Sequence, residues 1–481
     1  MKEGLEHLIP LVKQARMLMG EYDAVVANPP YMGSKYQTPI LKAYLQDHYS
    51  GYEKDFFSAF IIKVLSLTKQ SGRIGVVSPY VWMFLSSYES FRERMLEDAN
   101  LTSLIQLEYN AFEPAMIPVA TFTFMRRHVP GFSSSYIKLS DFKGHQNQAP
   151  KTLEAIRNPD CGWFYTAISD EFKKIPAYPI AYWITKKLRK TFTDYPALGE
   201  TVSPKQGLAT ADNNRFVRFW FEVSLNKTSF KSSSRKAAQL SRKKWFPFNK
   251  GGNYRKWYGN QECLINWEND GNEIFKFRPK SVIRNPQYYF KESISTSAIS
   301  SNGTSYRYYP VGGIFDVNFR SFFCDSKKVA NSVISLLNCV ILPKVEQALN
   351  PTLALNMNDL DRVPFRFVQS CNENTEQLIE ESKLDWDAYE RSWDFQLLPL
   401  LSNTSESTQT LESSYTTWIN QSKDTIAEMQ RLEEENNRIF IEAYGLQDEL
   451  TPEVPIEQIT LTVNPAYRYG IKGTEQKRNA R

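Results

Sequence analysis

A short apolar run, Tyr22-Asp23-Ala24-Val25-Val26-Ala27, stops at Asn28-Pro29-Pro30-Tyr31. A run of that length with little alternation predicts a buried strand of a parallel sheet. The two prolines end the strand and fix the backbone that leaves it. The period then changes. Over 55–67, Phe56, Phe57, Phe60, Ile61, Val64 and Leu65 recur at helical spacing. Gly72 ends that unit, and Ile74-Gly75-Val76-Val77-Ser78-Pro79 predicts a second buried strand. Strand, helix, strand is a βαβ unit. A leading helix is expected over 3–19 and another over 88–96. A strand is expected over 101–107, and the alternation over 119–124 predicts a hairpin strand. Between the motif and the first long helix, 32–51 is polar and rich in Tyr, a loop.

The pattern weakens over 130–195, where Pro176 and Pro179 punctuate the chain and Pro196 follows. We expect a connector there. A second unit is expected from Leu198, with strand-like stretches around 283–286 and 306–310 and an amphipathic helix over 329–348. Residues 375–446 read as helical and more acidic, with the run Glu433-Glu434-Glu435, and 460–469 as strand-like. The expected domains are therefore 1–130, a connector 131–197, 198–370, a helical spacer 371–450 and a tail 451–481.

Composition changes this picture little. At 481 residues, 42% hydrophobic and 23% charged, the chain is an ordinary globular protein able to form two or three domains. A net charge of +5 is too small to argue for nucleic-acid binding, so local charge must decide. The five cysteines are scattered without a C-x-x-C pair, which argues against zinc and against a disulfide framework and suits a reducing cytoplasm. No metal site is expected. No apolar run is long enough to span a bilayer, and no membrane is expected as a partner.

Asn28-Pro29-Pro30-Tyr31 suits attack by an exocyclic amine. The lone pair of an aromatic amine such as adenine N6 is delocalised, which makes it a poor nucleophile. The Asn28 side-chain oxygen and the Pro29 carbonyl can each accept one of its N–H bonds, localising the lone pair. Tyr31 can stack on a base that has left the helix. A proline-rich turn after a core strand is the alternative reading of the same four residues.

Here the chain resembles the amino-group DNA methyltransferases, whose (Asp/Asn/Ser)-Pro-Pro-(Tyr/Phe) motif it matches at Asn28-Pro29-Pro30-Tyr31. More narrowly, it looks like the phage-growth-limitation adenine methyltransferases of BREX-type defence systems. The resemblance implies an α/β fold. It would be the C-terminal half of a Rossmann-like class I methyltransferase domain, followed by an α+β target-recognition domain and a helical segment. It implies Asn28, Pro29, Pro30 and Tyr31 as catalytic, Asp55 and Phe56 near the cofactor S-adenosylmethionine, and Phe112 in the target-base pocket. Core packing is the other reading of Phe56 and Phe112, and an exposed N-terminal Asp that of Asp55. It also implies double-stranded DNA as partner, together with other phage-defence subunits. The family's Gly-rich cofactor turn lies upstream of the motif, yet only Gly4 and Gly20 precede Asn28. We therefore expect a fragment that starts in mid-domain.

From Ser203 to Arg218 the order Gly207, Thr210, Asn213, Phe216, Arg218 resembles the opening of a target-recognition domain, as in type I specificity subunits. Between Glu222 and Glu262 there is no acidic residue, and there are ten basic ones interleaved with aromatics. Such a stretch suits a phosphate-tracking surface, with a solvated loop as the alternative. Thr210, Asn213, Arg215, Arg218, Lys243, Lys244, Arg255 and Lys256 are the candidate DNA contacts. Two other functions stay open: a catalytically inert DNA-binding specificity module, and a protein-interaction scaffold whose aromatics are simply core.

Overall fold

The computed structural model describes residues 2–112, 117–296, 303–351, 357–401 and 410–470. The chain divides into two units. One is Met1–Thr193 with Gln347–Leu353, and the other is Asp194–Glu346 with Ala354–Arg481.

The first unit is built on a six-stranded mixed sheet. Its strands are β1 (Tyr22–Ala27), β2 (Thr68–Pro79), β3 (Asn100–Gln106), β4 (Val119–Met125), β5 (Ser133–Lys138) and β6 (Phe164–Ile168), in the order β1-β2-β4-β3-β5-β6. The expected βαβ unit is present. β1 and β2 pair in parallel, Val26 opposite Gly75 and Ala27 opposite Val76, and the helix Phe56–Leu67 connects them. β4 runs antiparallel to both β2 and β3, which makes its alternating pattern a central strand. The core packs Phe57, Ile61, Val64 and Leu65 of that helix against Ile74, Val76, Phe122 and Phe124 of the sheet. Residues 131–197, expected as a connector, instead add β5 and β6 to this sheet, and Tyr136, Phe172 and Tyr182 join its core. A strand that opens Ser133-Ser134-Ser135 carries too little apolar signal to be read in advance.

The second unit has two four-stranded sheets. One contains β8 (Val217–Phe219), β9 (Trp245–Asn249), β10 (Cys263–Asn266) and β13 (Ile314–Phe315). The other contains β7 (Ser203–Lys205), β11 (Ser293–Thr296), β12 (Tyr306–Tyr309) and β14 (Ser321–Phe323). Gly207 permits the chain to pass close to Phe315, since a Cβ there would lie 1.8 Å from the Phe315 carbonyl oxygen. The helices Lys327–Leu337, Asn372–Asp387 and Leu411–Tyr444 follow. The longest starts at a Thr410 cap and ends at Gly445 in the left-handed region (φ 70°). Residues 460–469 do not form a strand. The Thr462 and Val463 amides bond to the Asp385 carboxylate, and 465–470 is helical. Among the described residues no single helix is long and apolar enough to cross a membrane.

Candidate functional site

The carboxyl end of β1 delivers Asn28 to the surface. Asn28 and Pro30 are exposed, Pro29 is buried and Tyr31 is half-buried. The Tyr31 ring meets Phe57 edge-on at 6.5 Å between centroids. Its hydroxyl faces two acceptors, Asn28 Oδ1 at 3.2 Å and the Val77 carbonyl at 3.4 Å. One proton serves one acceptor at a time, and a carboxamide oxygen has two lone pairs, so Asn28 Oδ1 keeps acceptor capacity. Among the described residues nothing donates to the Pro29 carbonyl. Burial pushes the Tyr31 phenol up, so it stays protonated at neutral pH.

Asp55 holds this loop. It caps the helix Phe56–Leu67, and its Oδ1 accepts from the Phe57 amide at 3.3 Å and from the Met32 amide at 2.9 Å. The Phe56 amide returns a bond to the Met32 carbonyl at 3.0 Å, and Ser34 N bonds to the Lys54 carbonyl at 3.0 Å. Burial pushes the Asp55 carboxyl up, against the pull of the Met32, Phe57 and Phe56 amides. The Phe56 ring packs edge-on against Phe60 at 6.0 Å. The structure thus brings Asn28, Pro29, Pro30, Tyr31, Asp55 and Phe56 together, and gives Asp55 a positioning role. Phe112 is 51% exposed and joins no described core cluster, so core packing does not hold it.

Sequence reasoning missed a neighbouring feature. A cavity of about 400 Å³ lies where β2, β3 and β5 end, lined among others by Tyr80, Gln106, Tyr109, Lys138 and Trp183. The buried Tyr182 hydroxyl donates to Gln106 Oε1 at 2.8 Å, and Gln106 in turn bonds to the Tyr80 hydroxyl. A lone glutamine ending an apolar strand was the available signal.

The second group of candidates separates. Asn213 and Arg215 are exposed, and Arg218 is half-buried, bonded to the backbone carbonyls of Asn214 and Val217. Thr210 is buried and donates to Asn213 Oδ1 at 2.6 Å, so it shapes the turn and does not face outward. Lys243 and Lys244 are half-buried. Lys243 bonds to the Asn226 carbonyl, and Lys244 lies 3.9 Å from Glu268. Arg255 and Lys256 are a correction. They are 4% and 5% exposed. Arg255 donates to Asp385 Oδ2 at 2.6 Å, to Thr462 Oγ1 at 3.0 Å and to the Tyr258 carbonyl at 2.9 Å. Lys256 pairs with Glu433, which also accepts from Trp257 Nε1 at 2.9 Å. Both cations are spent inside the unit and are not available to a phosphate.

Residues 6–112, which contain the whole motif loop, match the Eco57I restriction-modification methylase family. Along 92% of its length the chain is 35% identical to the adenine-specific methyltransferase PglX of Lacticaseibacillus casei (strain Zhang). Along 98% it is 32% identical to the adenine-specific methyltransferase BrxX of Escherichia coli O9:H4 (strain HS). This chain is similar to the PglX and BrxX adenine-specific methyltransferases. The resemblance carried by Asn28-Pro29-Pro30-Tyr31 is thereby borne out. The chain spans 38% of the length of each of these two relatives. Among solved structures, the type IIL restriction-modification enzyme MmeI in complex with DNA gives a TM-score of 0.47 at 12% identity, over 95% of this chain and 57% of that one.

Proposed function

We propose that the chain is part of a site-specific DNA adenine-N6 methyltransferase of a phage-defence, restriction-modification system of the BREX type. Its first unit would then be the carboxyl half of a Rossmann-like class I methyltransferase domain. Its second unit would be the DNA-reading part, with Asn213, Arg215, Arg218, Lys243 and Lys244 as candidate contacts. One observation carries the reading: two acceptors, Asn28 Oδ1 and the Pro29 carbonyl, stand at the carboxyl end of a parallel strand beside a clamped aromatic ring. Ligands of open α/β sheets bind at that end of the strands.

On this reading the exocyclic amine of an extruded adenine donates one N–H to each acceptor. Its lone pair turns out of the ring's π system and becomes nucleophilic. Tyr31 stacks on the base, and Phe112, left exposed, is the candidate for its other face. The donor would supply a methyl group whose bond to sulfur breaks as the N–C bond forms, leaving a neutral thioether; the amine's proton would pass to solvent, and Asn28 needs no change of charge. Asp55 keeps the loop in register through the Met32 amide.

S-adenosylmethionine is the methyl donor that this chemistry calls for. The residues present fit it in part. Asp55 Oδ1 is occupied by two backbone amides, while Oδ2 lies 3.6 Å from where a Cβ on Gly33 would stand and takes part in no described hydrogen bond. That oxygen suits an ammonium or hydroxyl of the cofactor. Other subunits of the defence system are proposed as partners on the strength of the sequence resemblance alone.

The test is Asn28→Ala in the complete enzyme. Methyl transfer should fall on the order of a hundred-fold, as when one polar group is removed from a preorganised site. DNA affinity should change only a few-fold. Equal loss of both would sink the assigned role.

A further inference from the structure

One edge of the second unit carries two phenylalanines that its core does not use. β8 is the last strand of its sheet and pairs only with β10. Phe219 ends that strand and is 45% exposed, and Phe221 in the turn that follows is 65% exposed. Their rings stack almost parallel, with centroids 5.4 Å and planes 5° apart. Trp220 between them is tied back. Its amide bonds to the Glu262 carbonyl at 2.9 Å, and its Nε1 bonds to the Arg391 carbonyl at 2.9 Å. The Trp220 ring meets Phe221 edge-on at 6.0 Å. The anchored tryptophan thus holds both phenylalanines outward. Two adjacent rings left in water keep apolar area that a partner would bury.

The flank of the pair is polar and cationic. A cavity of about 290 Å³ beside Phe219 is lined among others by Asn213, Asn214, Arg218 and Glu222. Asn213, Asn214 and Glu222 are exposed, and Arg218 is half-buried. Arg218 spends Nη1 on the Asn214 and Val217 carbonyls, while its Nε and Nη2 take part in no described hydrogen bond. Asn213 Oδ1 accepts from Thr210, which leaves its amide hydrogens for a ligand. Arg215 and Lys227 are exposed. The neighbouring acids are engaged. Asp212 caps the Arg215 amide at 3.0 Å, and Glu222 Oε2 accepts from the Phe219 amide at 2.6 Å. Glu273 lies 4.0 Å from Arg215, and Glu262 pairs with Arg391 at 2.5 Å. Flat rings flanked by guanidinium, amide and carboxylate groups suit a strand whose bases are flat and whose edges carry donors and acceptors. An apolar protein surface would bury the rings but leave Asn213 and Arg218 without partners.

We propose that the Phe219–Phe221 pair is a wedge that enters bound DNA between two bases, with Asn213, Arg218 and Glu222 beside it for the base edge it exposes. Arg215 and Lys227 would meet the flanking phosphates. The proposal rests on the reading of the second unit as the DNA-reading part, and adds to it a means of opening the stack. The probe is a duplex carrying the sequence that the complete enzyme methylates, with 2-aminopurine at successive positions, titrated onto the full chain at several salt concentrations. Fluorescence should rise at the opened step. Phe221→Ala should remove that rise and weaken binding roughly five- to hundredfold, the range of one lost stacking contact. Its salt slope should not change, because no charge is lost, whereas Arg215→Ala should reduce the slope by about one. Phe219→Ala should act in the same direction as Phe221→Ala, and Phe221→Trp should keep both rise and affinity. Because Phe221 is largely exposed, Phe221→Ala should move Tm by no more than about 2 °C. Binding with no fluorescence rise at any position, or a rise and affinity indifferent to Phe219→Ala and Phe221→Ala, would overturn the wedge and leave the rings to a protein partner. A chain that binds no DNA at all would refute the reading of the second unit, and the wedge with it. Binding that survives both alanine variants would refute the wedge alone.

Discussion

Arg255→Met separates the two roles that a basic, aromatic stretch can have. Methionine keeps much of the stem volume and removes the guanidinium. Asp385 would then lose its Arg255 bond and keep the Thr462 and Val463 amides, at 2.6 and 3.0 Å. Removing one partner of a buried ion pair costs about 3–5 kcal/mol, because the other charge stays buried. Two retained amides place this case near the lower end, about 3 kcal/mol. In a unit of this size each kcal/mol lowers Tm by about 2–4 °C, so the expected fall is roughly 6–12 °C. The double variant Arg255→Met with Asp385→Asn should recover part of that, since no lone carboxylate remains while the Asn oxygen still accepts a backbone amide. Differential scanning calorimetry measures both. DNA affinity, measured well below the melting range at several salt concentrations, should stay within about twofold with an unchanged salt slope. An unchanged Tm together with weaker binding and a shallower slope would place Arg255 on a phosphate and refute the reasoning.

Neutralising Lys243 and Lys244 together to Ala should weaken DNA binding uniformly across sequences and reduce the log–log salt slope by up to about two. A changed recognition sequence instead would place them at base edges. Glu346 gives a pH-dependent test. Burial pushes its carboxyl up to about 7, and its Oε1 has no partner. The folded state thus holds a proton that the unfolded chain releases near its ordinary value. The stabilisation from keeping it neutral is full below about pH 4.5, is lost as pH rises, and is gone above about 7. Glu346→Gln should therefore stabilise by up to about 3 kcal/mol at pH 8 and by little at pH 4.5, read from urea unfolding. Equal gains at both would show that charge is not the cause.

What the sequence made legible was local. The period of the apolar residues over 55–67 and the stiffness of Pro29-Pro30 act within a few residues, so the βαβ unit could be read directly, but Tyr22–Ala27, expected as a buried strand, is a largely exposed edge strand of the sheet. The role of Asp55 was half legible: a helix cap follows from its place before Phe56, but its bond to the Met32 amide needs the fold. Arg255 and Lys256 failed for the opposite reason. Asp385 lies 130 residues from Arg255, and Glu433 lies 177 residues from Lys256. A count of charges along the chain cannot see acids that arrive from that far. With 58 basic and 53 acidic residues overall, a local absence of acid is easily filled from a distance. The same argument turns the failure into a filter. Once the ion-paired cations are set aside, Lys227, Lys231, Lys236 and Arg242 stay exposed and join no described ion pair. If this unit meets a phosphate backbone, these four make the stronger claim, because no internal bond has to break for them to do so.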